Sequence, residues 1–229
     1  MVCIRPARIG DLIEMQQCNL FNLPENYGMN YWMYHLMTWT YLPQVAVDEL
    51  TGKVVGYVLS KMEESPRSEK DQATFVPHGH ITSISVLRDY RKLGIATKLM
   101  RATHHQMKTV YGAKYVSLHV RVSNRAAIGM YRDVLKYEIV DVEHEYYADK
   151  EHAYDMCLFF DTSVREKTIE RSKAEHAKKK KEKLSEQEMQ AAAAGSIQED
   201  SRSQKVVEPT ESTEESKESA ETTADTAAE

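Results

Sequence analysis

The stretch Arg91-Lys92-Leu93-Gly94-Ile95-Ala96 combines two cations, one glycine and the start of a run with helical apolar spacing. The first backbone N–H groups of a helix lack intrahelical partners, and the helix dipole adds partial positive charge to them. A helix opening at Ile95 behind Arg91 and Lys92 is therefore an anion site, suited to a phosphate or pyrophosphate. Gly94 would let such a ligand approach the backbone closely. The plainer reading of the same residues is a strand-to-helix loop with solvated cations. Neither G-x-G-x-x-G nor G-x-x-x-x-G-K-[ST] occurs, so Gly94 supports no dinucleotide or P-loop class. The histidines raise a second chemistry: His78, His80, His104, His105 and His119 include an H-x-H and an H-H pair. No Cys or carboxylate accompanies them at zinc-like spacing, so no metal is expected. His80 and His119 read as core histidines or as a proton relay.

Elements must position these residues. Apolar periodicity and turn chemistry predict a strand over 2–5 and a helix over 11–19 with Asp11 as N-cap. A turn at 23–28 contains Pro24, and an aromatic- and Met-rich helix follows over 30–39. A hairpin of strands 44–48 and 53–62 precedes a polar surface loop over 63–77. Next come a strand over 79–87, a helix over 95–111 and a strand over 115–120. A helix capped by Ser123 or Asn124 runs through Val134, and strands over 137–145 and 154–160 end the series. The order β-α-α-β-β-β-α-β-α-β-β predicts an α/β class (α+β mixed sheet) with helices on the faces of the sheet.

The 229 residues carry a net charge of −5, spread unevenly. Residues 1–161 are nearly charge-balanced and hold every aromatic residue; none follows Phe160. A segment without aromatics and with few large aliphatics cannot bury enough apolar area to offset the entropy of ordering. The expected division is a domain over 1–161, a charged, helix-permissive extension over 162–195 and an acidic disordered tail over 196–229. A charge-balanced domain argues against broad binding to nucleic acid. Cys3, Cys18 and Cys157 stand in no metal-like spacing and read as reduced, buried small hydrophobes. No apolar signal region and no run of about 20 apolar residues is present, so a soluble intracellular protein is expected.

With the elements placed, the domain resembles the GNAT acetyltransferases. Arg91-Lys92-Leu93-Gly94-Ile95-Ala96 matches that family's [QR]-x-x-G-x-[GA] acetyl-CoA signature, and the segment from Asn124 to Tyr131 is similar to its N-x-x-A-x-x-x-Y helix. Leu23-Pro24-Glu25-Asn26-Tyr27, Val76-Pro77-His78-Gly79-His80, Lys114-Tyr115-Val116-Ser117-Leu118-His119-Val120-Arg121 and Tyr146-Tyr147-Ala148-Asp149 resemble more narrowly the N-terminal acetyltransferases of the NatA kind. The resemblance covers about residues 1–160. Two features depart from it: the 63–77 loop looks long, and Lys92 and Ile95 stand where Arg and Leu are expected.

The resemblance implies a GNAT fold and acetyl transfer from acetyl-CoA to nascent-chain N-termini. The expected substrates begin with Ser, Ala, Thr, Gly, Val or Cys after Met removal, with acidic N-termini when the chain is free of its scaffold. Arg91, Lys92, Leu93, Gly94, Ile95 and Ala96 would hold the CoA pyrophosphate through backbone N–H groups. Ile84 and Val86 would offer backbone groups to the pantetheine arm, and Asn124 and Tyr131 would complete the cofactor site. Tyr131 is a proton donor to the sulfur or a core aromatic. Glu25 is a general base, an organiser of the 23–27 turn through backbone hydrogen bonds, or both. Arg121 and Tyr147 match active-site positions, and Leu23, Pro24, Tyr27 and Tyr146 would wall the substrate pocket. A lysine-side-chain or small-amine GNAT and a non-catalytic acyl-CoA-binding subunit remain alternatives at this level. The implied partners are a large helical-repeat scaffold subunit and the ribosome, with no membrane and no sequence-specific nucleic acid. The implied place is cytoplasmic and ribosome-associated with a possible nuclear pool. The basic block 178–183 reads as a nuclear signal, a ribosomal RNA contact or a solvated helix.

Overall fold

β-branched and aromatic residues, bounded by turn residues, build one seven-stranded mixed sheet in this computed structural model. The structure describes residues 1–63, 75–174, 176–178 and 185. The strands are β1 (Val2–Pro6), β2 (Gln44–Asp48), β3 (Val54–Glu63), β4 (His78–Val86), β5 (Tyr115–Arg121), β6 (Glu138–Glu143) and β7 (Ala153–Phe159). Between them run α1 (Leu12–Asn22), α2 (Met29–Thr38), α3 (Ile95–Thr109) and α4 (Arg125–Gly129), the last continuing as a π-wound turn over Met130–Val134. The sheet order is β1-β2-β3-β4-β5-β7-β6, so the predicted element order and mixed sheet are both observed.

Every neighbouring pair is antiparallel except β4 and β5. A parallel pair needs a crossover, and α3 supplies it. Leu99, Met100, Thr103 and Met107 recur at helical spacing and are fully buried, which sets one face of α3 on the sheet. Gly79 permits the contact, because a Cβ there would lie 2.3 Å from Met107 Sδ. On the opposite face Leu12, Met15, Cys18, Trp32 and Leu36 of α1 and α2 pack with Val45, Tyr57 and Leu59. With both faces covered, β3 reads as a continuous apolar run rather than an alternation.

Several element ends differ from the sequence expectation. The first helix runs to Asn22, three residues further, where the Asn22 amide donates to the Cys18 carbonyl at 2.7 Å. Asp11 does not cap it with its side chain. Its carboxylate accepts instead from Arg5 at 2.6 and 2.8 Å and from the Arg8 N–H at 2.7 Å. All three cysteines are free thiols, but Cys3 is exposed, contrary to the expected burial.

The larger difference lies after 161, where the extension was expected to begin. The compact unit spans Met1–Lys179. Residues 165–174 and 176–178 are helical, and Val164 and Ile169 pack against Tyr115, Val140 and Cys157. Arg165 donates to Glu138 at 2.5 and 2.9 Å, and Ser172 to Asp155 at 2.6 Å. Partly buried aliphatics, buried Thr168 and these polar contacts together dock a helix whose overall composition is polar. Most of the 63–77 loop, the 196–229 tail and the basic block beyond Lys178 lie outside the described residues.

Candidate active site

β4 and β5 pair only at Gly79–Val116, His80–Ser117 and Ile81–Leu118. Beyond these the strands part, opening a V between Thr82–Val86 and His119–Arg121. The β3–β4 register slips between Leu59 and Ser60, opposite Ser83 and Ile81. A bulge at this position re-aims the strand where the pairing ends. The result is a cavity of about 530 Å³. Residues 80–84 and 118–121 form its floor, Asn124, Ala127 and Tyr131 one wall, and Leu23, Pro24, Glu25, Tyr27, Tyr146 and Tyr147 the rim.

The rim converges on Arg121. Its guanidinium donates to Glu25 Oε1, Asp149 Oδ2 and Glu151 Oε2, each at 2.7 Å, and lies 3.9 Å from the centre of the Tyr147 ring. Burial works against this cation, but the three carboxylates outweigh it and raise its pKa. Hydrogen bonds from Ser123 and then Arg121 hold Glu151 down to about 2. Glu151 also accepts from the Ser123 backbone N–H at 3.0 Å. One residue at the end of β5 thus joins the α1–α2 turn to the β6–β7 loop.

Glu25 does not organise its own turn through backbone hydrogen bonds, as one reading had it. The turn is held from below. Asn19 donates to the Glu25 carbonyl at 3.0 Å, and Gln16 and Trp32 donate to the Tyr27 carbonyl at 3.2 and 3.1 Å. Asn19 also donates to the Tyr57 hydroxyl at 3.0 Å, which lies 2.7 Å from Ser83 Oγ on β4. This buried chain ties the turn to the diverging strand and leaves the Glu25 carboxylate at the cavity.

Tyr27 stacks on Tyr31 with ring centres 4.8 Å apart, and burial pushes its phenol up to about 12. Tyr146 stacks on His119 at 4.4 Å. Tyr131 is buried, which raises its phenol pKa and keeps its proton in place. It lines the cavity as well as packing on Tyr137, so its two readings are compatible. The π-wound turn that carries Tyr131 is a feature often found at functional sites.

The Arg91–Ala96 turn stands outside the cavity lining. Gly94 adopts φ +74, a left-handed conformation, with open space where a Cβ would project. It forms the N-cap of α3 without a side-chain cap, so the first N–H groups of that helix take no acceptor from the cap residue. The Arg91 side chain points elsewhere, donating to the Val86 carbonyl at 3.0 Å and to Asn22 Oδ1 at 2.5 Å. It anchors the turn through neutral oxygens while the residue stays exposed. Val86 lies in the core off the cavity, whereas Ile84 lines it. Asn124 lines the cavity while its Oδ1 caps α4 through the Ala127 N–H at 3.2 Å.

Sequence reasoning missed the roles of Asn19, Asp149 and Glu151. Asp149 belongs to the quoted Tyr146–Asp149 match, but nothing local marks Glu151 or Asn19. His80 and His119 both border the cavity, and His80 Nδ1 lies 2.9 Å from Ser117 Oγ.

Comparison with known proteins supplies the frame for this geometry. Residues 14–137 match the model of the acetyltransferase (GNAT) family. The chain is 56% identical over 159 residues to the N-terminal acetyltransferase A complex catalytic subunit ard1 of Schizosaccharomyces pombe, covering 69% of this chain and 86% of that one. It is 42% identical over 153 residues to an N-alpha-acetyltransferase of Sulfurisphaera tokodaii, covering 67% and 90%. Among solved structures, Naa20 of Chaetomium thermophilum in complex with a bisubstrate analogue superposes with a TM-score of 0.61 at 30% identity, over 69% of this chain and 86% of that chain. The NatB complex bound to CoA and MES gives 0.56 at 28%, over 69% and 98%. A turn with a left-handed glycine at a bare helix N-terminus, a sheet parted between β4 and β5, and these relatives lead to one conclusion: the chain belongs to the GNAT acetyltransferase family, among the N-terminal acetyltransferase catalytic subunits.

Proposed function

We propose that this protein transfers the acetyl group of acetyl-CoA to the α-amine of protein N-termini, as the catalytic subunit of a NatA-like complex. The observation that carries the proposal is the Arg121-centred rim. It binds the α1–α2 turn and the β6–β7 loop into one mouth over the parted strands, with the Glu25 carboxylate facing the cavity.

The residues fit acetyl-CoA. The uncapped N–H groups at the start of α3, approached across Gly94, suit a pyrophosphate. The edge of β4 beyond Ile81, without a β5 partner, suits the pantetheine amides and a developing oxyanion. Acetyl-CoA supplies a thioester carbonyl to the attacking amine. A protein α-amine has a pKa near 8, so a good fraction is already neutral at cellular pH and needs only a modest base. Glu25 takes that proton, and Tyr131 keeps its own for the leaving sulfur. Tyr147 is positioned by Arg121 to meet the substrate backbone, while Leu23, Pro24, Tyr27 and Tyr146 bound the first side chain. That confined wall favours Ser, Ala, Thr, Gly, Val and Cys.

Helices α1 and α2 carry exposed Ile13, Leu20, Phe21, Tyr34 and Met37, the last 72% exposed. Apolar side chains in such number mark a partner surface. We assign it to a large helical-repeat scaffold. Attachment to the ribosome in the cytoplasm, with a nuclear pool, is the matching cellular setting.

The test is acetylation of Ser-, Ala-, Met- and Glu-starting peptides and an internal-Lys peptide, with and without co-expressed scaffold. Expected are transfer to α-amines alone, a preference for Ser and Ala in the complex, and a shift toward Glu without scaffold. Turnover of the internal-Lys peptide at comparable kcat/KM would replace the proposal with a lysine acetyltransferase.

A further inference from the structure

His119, Glu143 and His176 are distant in sequence and meet in space. They come from β5, the end of β6 and the helical residues 176–178. The Nε2 atoms of His119 and His176 lie 3.2 and 3.4 Å from the same oxygen, Glu143 Oε2. All three residues place a ligand atom within 4.8 Å of the others. Both ring nitrogens of His119 are buried, and neither has a partner in hydrogen-bonding geometry. Four-coordinate zinc has bonds of about 2.0–2.1 Å, and a tetrahedron of that size has edges of roughly 3.3 Å. The two separations to Glu143 Oε2 match edges of that length.

The surroundings are those of a ligand set. His176 Nδ1 stands 2.9 Å from Asp141 Oδ2, a carboxylate that orients the ring and turns Nε2 toward Glu143. A cavity of about 280 Å³ opens beside the cluster, lined by His119, Glu143, Tyr146 and His176, and gives an ion both an entry path and a fourth position. Two imidazoles with one carboxylate suit a borderline ion such as Zn2+ or Co2+, whereas Ca2+ and Mg2+ take oxygen ligands. Asp141 and Glu143 together balance the charge of one divalent cation.

We propose that His119, Glu143 and His176 form a binding site for a divalent transition-metal ion of the zinc class, with Asp141 as the orienting residue. The ion cross-links the C-terminal helical segment to β5 and β6. It does so beside the His119–Tyr146 stack, which borders the transfer cavity. The rival for the same place is a proton on His176, held as an ion pair by Asp141 and Glu143.

The full chain, stripped with EDTA and dialysed, is titrated with Co2+ alone. Expected are one equivalent bound, the visible absorption of four-coordinate Co2+, and its loss when Zn2+ is added. His176→Ala and Glu143→Gln should each weaken binding more than tenfold, and Asp141→Asn about tenfold. Far-UV circular dichroism of each variant should match the parent. No visible band at one equivalent would leave the proton as occupant and overturn the proposal. So would binding that survives His176→Ala but is lost in His144→Ala, because the His144 and His152 rings also lie 4.7 Å apart.

Discussion

At the scale of single residues, Arg121 and Glu25 divide the labour of the rim. A guanidinium presents donors in a fixed fork, and here three carboxylates and an aromatic face occupy it. A lysine ammonium cannot reproduce that geometry. Arg121→Lys should lower kcat/KM at least about tenfold, equivalent to about 1.4 kcal/mol, because Tyr147 and the Glu25 turn lose their common anchor. Peptide steady-state kinetics checks this, with the melting temperature as a control. Glu25→Gln keeps an oxygen for Arg121 but removes the proton acceptor. If Glu25 is the base, kcat falls about 100-fold and acetyl-CoA KM stays unchanged. Full activity of Glu25→Gln would remove the base and leave only the anchoring contact.

At the scale of elements, the parting of β4 from β5 and the start of α3 define where a thioester would sit. Both depend on backbone conformation. Gly94 holds φ +74 with nothing near its missing Cβ, so Gly94→Ala introduces strain without a clash. The left-handed conformation costs an L-residue about 1–2 kcal/mol. The turn should relax, raising acetyl-CoA KM about tenfold while kcat with saturating cofactor stays within about twofold. Initial-rate kinetics over a range of acetyl-CoA concentrations separates these. The motif was legible as R-x-x-G-x-A in the sequence. That Arg91 would also clamp Val86 and Asn22 was not, because both partners come from other elements.

At the scale of the whole molecule, the two faces of the sheet and the docked helix after 164 make one folding unit whose stability responds to acid. His104 on α3 is buried with its Nε2 2.7 Å from the Tyr137 hydroxyl, and burial pulls its pKa down to about 4. The unfolded chain binds this proton near pH 6.5, so between about pH 6.5 and 4 it holds more protons than the folded one. Stability at this site is therefore complete above pH 6.5 and lost as the pH falls toward 4. From pH 7 to 5 the loss is about 2 kcal/mol. His104→Gln, which cannot titrate, should flatten that part of the profile, read as urea midpoints at pH 7, 6 and 5.

The sequence by itself determined the element order, the mixed sheet and the family, and it located the strand-to-helix turn at Gly94. These rest on local periodicity, turn chemistry and short motifs, all carried by neighbours along the chain. It also named Glu25, Arg121, Tyr131 and Tyr147, but as separate candidates. Only the tertiary structure decided that Arg121 joins Glu25 to Tyr147 and Glu151. It placed Asn19, not Glu25, beneath the turn, and it brought His176 from beyond the expected domain end to His119 and Glu143. Except for Asn19 with Glu25, six residues apart, each of these contacts closes a loop of many residues. Its partners are selected by the packing of a whole sheet, for which no local pattern stands.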